Sequence, residues 1–228
     1  MTRAHFPTLK PANPDAAQYF FVPPILAKSY NHPAYSKRTV NAILNGKMEP
    51  VTIQAPVGWG DEAVATVVEK YLRRADVPSA TIEDPDAPAT IPPALRPHIP
   101  ARNAIVGPET SIHQVLRRIA GAWAYHALTL GYLTPEDAEV FYHEALLSLE
   151  LQMASPNSPQ WFNTGLSWAY GIKGDGGTLW HADPSNPFAA TLCDDAYTHP
   201  QASACFILDV ADDLVRPGGI MDLWKREA

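Results

Sequence analysis

At 228 residues, 46% hydrophobic and 18% charged, the chain is long enough for one large or two small domains and too apolar to be wholly disordered. A net charge of −7 excludes the basic footprint of a duplex nucleic-acid binder, and two cysteines exclude a disulfide scaffold and suit a reducing cytosol. The N-terminus lacks a signal-peptide apolar core and no run reaches the ~18 apolar residues of a membrane span, so the expectation is a cytoplasmic protein that contacts neither membrane nor nucleic acid directly.

Of the 23 prolines, 14 lie in residues 1–35 and 76–108. Proline removes an amide donor and clashes with the preceding helical turn. Residues 1–57 therefore read as an extended proline-rich arm and 76–108 as a linker, both poorly packed. Between them, Val64, Val67, Val68, Tyr71 and Leu72 form one stripe, which predicts a helix from Asp61 to Arg74 with acidic residues at its start and arginines at its end. A stronger helix is predicted over 111–130. Ile112, Val115, Leu116, Ile119, Trp123 and Leu130 share a face, Thr110 or Ser111 caps the start and Gly131 follows the end. Thr134-Pro135-Glu136-Asp137 then opens a helix with the stripe Ala138, Phe141, Ala145, Leu149 and Met153, making a two-helix hairpin.

After Ser155 the glycines at 165, 171, 174, 176 and 177 predict loop or short hairpin rather than helix. Ala204-Cys205-Phe206-Ile207-Leu208 reads as a buried strand, and Ile220 to Trp224 as the beginning of a helix. A strand followed by an unfinished helix suggests an interrupted α/β unit.

Four segments carry a family resemblance, in order: Gly58-Trp59-Gly60 through Lys70-Tyr71-Leu72-Arg73; Glu109-Thr110-Ser111 with its helix, then Gly131-Tyr132-Leu133 to Met153; Met153-Ala154-Ser155-Pro156-Asn157-Ser158-Pro159-Gln160-Trp161-Phe162-Asn163-Thr164-Gly165; and His199-Pro200-Gln201-Ala202-Ser203-Ala204-Cys205-Phe206-Ile207, followed by Asp212-Asp213-Leu214 and Gly218-Gly219-Ile220-Met221-Asp222-Leu223-Trp224. The third is the most specific. Together they resemble the N-terminal part of the adenosylcobalamin-dependent (class II) ribonucleotide reductases, and the spacer around Trp168-Ala169-Tyr170-Gly171-Ile172 is closer to class II than to the iron-dependent class I.

The resemblance implies an α/β fold: a mainly helical N-terminal domain over 58–155, leading through 156–228 into the first strand of an incomplete ten-stranded α/β barrel. It implies reduction of ribonucleotides by thiyl-radical chemistry. Cys205 aligns with one half of the redox-active cysteine pair, whose partner lies outside this chain. Ser158, Ala204 and Cys205 align with substrate-binding positions, and Asp212, Asp213 and Leu214 with a segment that binds the allosteric deoxynucleotide effector. The implied cofactor is adenosylcobalamin, held mainly by other parts of the enzyme. The implied partners are the ribonucleotide, the effector, a thioredoxin-like or dithiol reductant and the remainder of the reductase polypeptide. The radical cysteine and the main phosphate-binding loop are expected downstream, so the chain alone is expected to be inactive. An alternative is a non-catalytic nucleotide-binding or assembly subunit of a split reductase.

Blander readings accompany these. A free cysteine is commonly a buried structural residue, and Ser158 lies in a turn-forming Pro-Asn-Ser-Pro run. Asp212 and Asp213 suit a solvated acidic turn, while Ser203 and Asn163 suit structural hydrogen bonds. Trp161, Phe162, Trp168 and Tyr170 suit packed core better than a base-stacking platform, and His199 suits a structural role better than a proton donor. A Cys193–Cys205 disulfide stays open, as does a zinc site from His181, Cys193, His199 and Cys205. The latter has the right donor types but no close ligand spacing, and no metal site is assigned.

Overall fold

The computed structural model describes residues 32–177, 179–183, 186–204 and 209–227. A two-residue turn decides its first element. Asn45 and Gly46 both have positive φ, 52° and 78°, as a type I′ hairpin turn requires. They join β1 (Tyr35–Leu44) to β2 (Lys47–Pro56), antiparallel, with Leu44 opposite Lys47 and Tyr35 opposite Pro56. Val40 and Ala42 on β1 and Ile53 and Ala55 on β2 are buried while their neighbours alternate outward, the period of a half-buried strand. The expected arm over 1–57 is thus corrected for residues 35–56, which form a hairpin built into the core.

The first helix, α1 (Asp61–Lys70), buries Val64, Val67 and Val68. It ends before Arg74 because Arg73 leaves the helix, and its amide donates to Glu109 Oε2 (2.8 Å). The linker expected over 76–108 is also corrected. Prolines do exclude a long helix there, but the segment folds into short ladders, β3 (Val77–Pro78) with β6 (Val106–Gly107) and β4 (Thr81–Glu83) with β5 (His98–Pro100), plus a 3-10 turn at Pro93–Leu95. Val77, Ile91 and Leu95 are buried, and the Leu95 carbonyl accepts from Trp168 Nε1 (2.9 Å).

Helix α2 (Ile112–Thr129) is the spine, with Ile112, Val115, Leu116 and Ile119 fully buried. At its end Gly131 has φ 78°. The Gly131 amide donates to Leu128 O and the Tyr132 amide to Ala127 O, a Schellman stop. Thr134 then caps α3 (Pro135–Glu150), its hydroxyl accepting from the Asp137 amide (3.1 Å). The two-helix hairpin forms as expected, but the stripe on α3 is rotated. Ala138, Tyr142, Leu146, Leu147 and Leu149 are buried, Phe141 and Ala145 are only half-buried, and Met153 is exposed. The β-hairpin side causes this rotation. Glu150 is buried because Tyr35 Oη and His32 Nδ1 donate to its carboxylate (2.8 and 2.7 Å) and Trp59 Nε1 donates to its carbonyl (2.7 Å).

The stretch after Ser155 contains two short helices, α4 (Ser158–Asn163) and α5 (Leu166–Tyr170), where loop or hairpin was expected. A hairpin does follow, β7 (Trp180–Asp183) with β8 (Asn186–Leu192), and α6 (Ile220–Glu227) lies near the end. Among the described residues every sheet is two-stranded and no barrel is present. The strand expected at Ala204–Leu208 falls, from Cys205 onward, outside the described residues. No described helix is long and apolar enough to cross a membrane.

Candidate functional site

The segment from Met153 to Gly165 is held by one buried cation. Arg118, on α2 and wholly inaccessible to solvent, donates through Nη1 to Thr164 O (2.6 Å), through Nη2 to Trp161 O (2.7 Å) and through Nε to Glu109 Oε1 (2.8 Å). Glu109 also accepts from Tyr170 Oη (2.9 Å) and from the Arg73 amide. Burial, and then the Glu109 charge, raise the Tyr170 pKa far above the ordinary phenol range, so it stays a donor. A planar fork can satisfy three acceptors at fixed angles, which suits arginine. Gly165, with φ 80°, lets the chain pass directly over the Arg118 carbonyl.

Within this segment Trp161 Nε1 donates to Pro156 O (2.9 Å), and Gln160 Oε1 accepts from Trp123 Nε1 and Thr164 Oγ1. Tyr71 of the Lys70-Tyr71-Leu72-Arg73 motif stacks on Trp161 with centroids 5.2 Å apart. Trp161, Trp168 and Tyr170 are buried, as packing residues would be, whereas Phe162 is exposed.

Ser158 is the first residue of α4, half-buried, with Oγ 3.2 Å from Tyr71 Oη. Ala204 is exposed, and Cys205 lies outside the described residues. Asp213 spends its carboxylate on its own turn, Oδ1 accepting from the Val215 and Arg216 amides (2.9 and 2.8 Å). These bonds hold its pKa below the usual carboxylate range. Asp212 and Leu214 are exposed. Ser158 and the 212–214 turn are therefore on separate elements, Ser158 bonded to the distant Tyr71 and Asp213 to its own turn.

A cavity of about 640 Å³ lies between the second half of α2, α5 and the segment 197–202. Trp123, His126, Trp168, Trp180, His181 and His199 are among its walls. Its lining extends to Ala202. Burial, and then His199, lower the His126 pKa. Burial, and then His181, lower that of His199 against the opposing charge of Asp195. Burial alone would raise the Asp195 pKa, but the Thr198 hydroxyl and the Tyr197 and Thr198 amides outweigh it and hold the carboxyl low.

Sequence reasoning missed one feature here. Arg118 and Glu109 give no signal along the chain beyond a charge on an otherwise buried helix face. The donors His181, Cys193 and His199, considered in the sequence without close ligand spacing, are brought together here, their ligand atoms all within 4.8 Å of one another.

The volume is that of a pocket for a drug-sized molecule and is too small to enclose a whole corrinoid.

Helices, hairpins and clamped loop make a mixed α/β unit, and comparison with known sequences gives its family. Residues 43–152 match the class II vitamin B12-dependent ribonucleotide reductase N-terminal profile, and the chain belongs to that family, in its N-terminal region. It is 43% identical over 184 residues to the vitamin B12-dependent ribonucleotide reductase of Bradyrhizobium diazoefficiens and 43% identical over 185 residues to that of Agrobacterium fabrum, each alignment covering 77% of this chain. A third, from Rhodopirellula baltica, is 33% identical over 172 residues, or 75% of this chain. The chain spans about 14% of the length of these relatives.

Proposed function

We propose that this chain supplies the N-terminal layer and one edge of the active site of a vitamin B12-dependent reductase acting on ribonucleoside diphosphates or triphosphates in the cytoplasm. The single observation that carries the reading is the Arg118–Glu109 clamp. It fixes the Ser158–Gly165 segment, the most specific part of the family resemblance, as a rigid mount for a substrate-contacting loop. In this reading Ser158 offers its hydroxyl to the nucleotide, Ala204 contacts it by backbone and Cys205 is half of the redox pair. The reaction balances as ribonucleotide plus two thiols giving 2′-deoxyribonucleotide, water and one disulfide, with a thioredoxin-like protein or dithiol restoring the thiols. The cobalamin supplies the radical when bound elsewhere in the assembled enzyme. Asp213 shapes the turn that presents Asp212 and Leu214 to a deoxynucleotide effector.

A second reading, an assembly subunit without a catalytic thiol, draws on Leu214, Val215, Ile220 and Trp224. These are all exposed and would suit a face covered by the rest of the reductase. The test joins the chain to the remainder of the polypeptide and measures deoxynucleotide formation with adenosylcobalamin and a dithiol. Cys205→Ser should abolish turnover in the assembly, and the chain alone should show none. An assembly that keeps its rate with Cys205→Ser overturns the catalytic reading in favour of the second.

A further inference from the structure

We propose that His181, Cys193 and His199 form a binding site for one zinc ion. The three come from different positions of one small unit: His181 from β7, Cys193 just after β8, and His199 from the loop beyond. Their ligand atoms all lie within 4.8 Å of one another. Tetrahedral zinc with Zn–N of about 2.0–2.1 Å and Zn–S of about 2.3 Å sets ligand atoms roughly 3.3–3.8 Å apart. The donors therefore need to close by at most about 1.2–1.5 Å, within reach of rotations of the half-buried His181 and the exposed His199.

The His181 and His199 rings stack nearly parallel with centroids 4.0 Å apart, so one ring must turn out of the stack to aim its nitrogen at a shared ion. The remaining contacts hold the donors in place. His181 Nδ1 donates to Ala182 O (2.9 Å), which fixes the tautomer and leaves Nε2 as the free ligand, the usual arrangement behind a metal-bound imidazole. Cys193 is buried, and its amide donates to Leu179 O (2.8 Å). Gly176 passes so close to the Cys193 carbonyl that a Cβ there would sit 2.0 Å from it, which locks the thiol's backbone in place. Asp195 anchors the loop carrying His199 by accepting from the Tyr197 and Thr198 amides (2.8 and 2.9 Å).

One thiol and two imidazoles suit zinc, a borderline ion, better than the hard cations that prefer oxygen. On binding, the Cys193 thiol gives its proton to solvent, and the site carries Zn²⁺ against one thiolate. The fourth position is left for water or a ligand from the cavity. The ion would tie the β7–β8 hairpin to the segment leading to Cys205. The site rests on its own geometry and stands or falls separately from the reductase reading.

The full 228-residue chain is stripped with a chelator, re-supplied with zinc or cobalt(II), dialysed against metal-free buffer and assayed by elemental mass spectrometry and absorption. About one zinc per chain should remain, and cobalt should show a thiolate charge-transfer band. His199→Ala, at an exposed position where folding is not at stake, should weaken zinc retention by about 100-fold or more, since even outer partners of a ligand are worth about 10–100-fold. Cys193→Ser should abolish the cobalt band. The band should survive Cys205→Ser, and its loss there counts against the three-residue site. The proposal is overturned if the cooperatively folded wild type retains no zinc, if His199→Ala and Cys193→Ser bind as wild type does, or if the band is lost only in Cys205→Ser.

Discussion

Arg118 and Glu109 form an ion pair with no solvent access to either side chain, and each also bonds to groups distant in the chain. Breaking a buried pair by removing one partner costs about 3–5 kcal/mol, because the other charge is left uncompensated. Arg118→Ala should therefore lower stability by about that much in urea unfolding. In some proteins a buried pair can be replaced by apolar residues without loss. Here an Arg118→Met, Glu109→Leu double variant would still orphan the Thr164 and Trp161 carbonyls, the Arg73 amide and the Tyr170 hydroxyl. It should stay destabilised, and wild-type stability in it would show that the clamp is dispensable.

Two glycines set how closely the helices approach. At Gly165 a Cβ would meet the Arg118 carbonyl oxygen at 2.0 Å with φ already at 80°. Gly165→Ala should cost more than the roughly 1–2 kcal/mol of left-handed strain alone. At Gly121, inside α2, a Cβ would lie 2.1 Å from the Trp168 ring. Alanine gains about 1 kcal/mol of helix propensity there, but overpacking costs about 1–3 kcal/mol. Gly121→Ala should therefore destabilise on balance and perturb the near-ultraviolet signal of Trp168. A stabilised variant would mean that the ring moves aside freely.

The helices were legible because their signals are local: apolar spacing, Ser111, Thr134-Pro135 and Gly131. The β1–β2 hairpin was equally local, since Asn45-Gly46 between alternating residues is a turn signature, but the prolines around it pulled the reading toward an arm. The rotation of α3 was not legible. It depends on Tyr35 and Trp59 reaching Glu150 from far away in the chain. The clamp on the Ser158–Gly165 segment was hidden for the same reason. The sequence shows which loop matters, and only the fold shows that Arg118 holds it.

Capping offers a graded check on the spine. Ser111 Oγ accepts from the His113 amide (3.1 Å), while Gln114 Oε1 accepts from the Ser111 amide (3.0 Å), a reciprocal box. Ser111→Ala should cost about 0.5–2 kcal/mol. Thr134→Ala at the start of α3 falls in the same range. The two caps sit on different helices, so the double variant should show additive losses in chemical denaturation. A double variant no worse than either single one would mean that the two ends share one constraint.

Buried histidines give stability a direction with pH. His113 is held below its ordinary pKa of 6.5 mainly by burial, with Glu150 opposing and Arg117 and His32 adding to the shift; the Tyr35 ring stands edge-on 5.3 Å away. His143 is lowered by burial and then by His32, against Glu139, with Tyr142 beside it. In both, the fold prefers the neutral ring. Above about pH 6.5 neither folded nor unfolded chain carries the proton, and the stabilisation is complete. As pH falls below that value the unfolded chain takes up protons that the fold resists. Stability should then drop until the folded pKa values are reached, and lose nothing more from these groups below them. Asp195 and Asp213, held low, lose their contribution only as pH falls through the carboxylate range, from about 3.8 downward, and so do not confuse the window. The urea midpoint should be flat between about pH 8 and 7 and decline from about pH 6.5 to 5.5. A His113→Gln, His143→Gln variant should make that decline shallower, with His98, His126 and His199 carrying the remainder, and a slope unchanged in the double variant would place the acid sensitivity elsewhere.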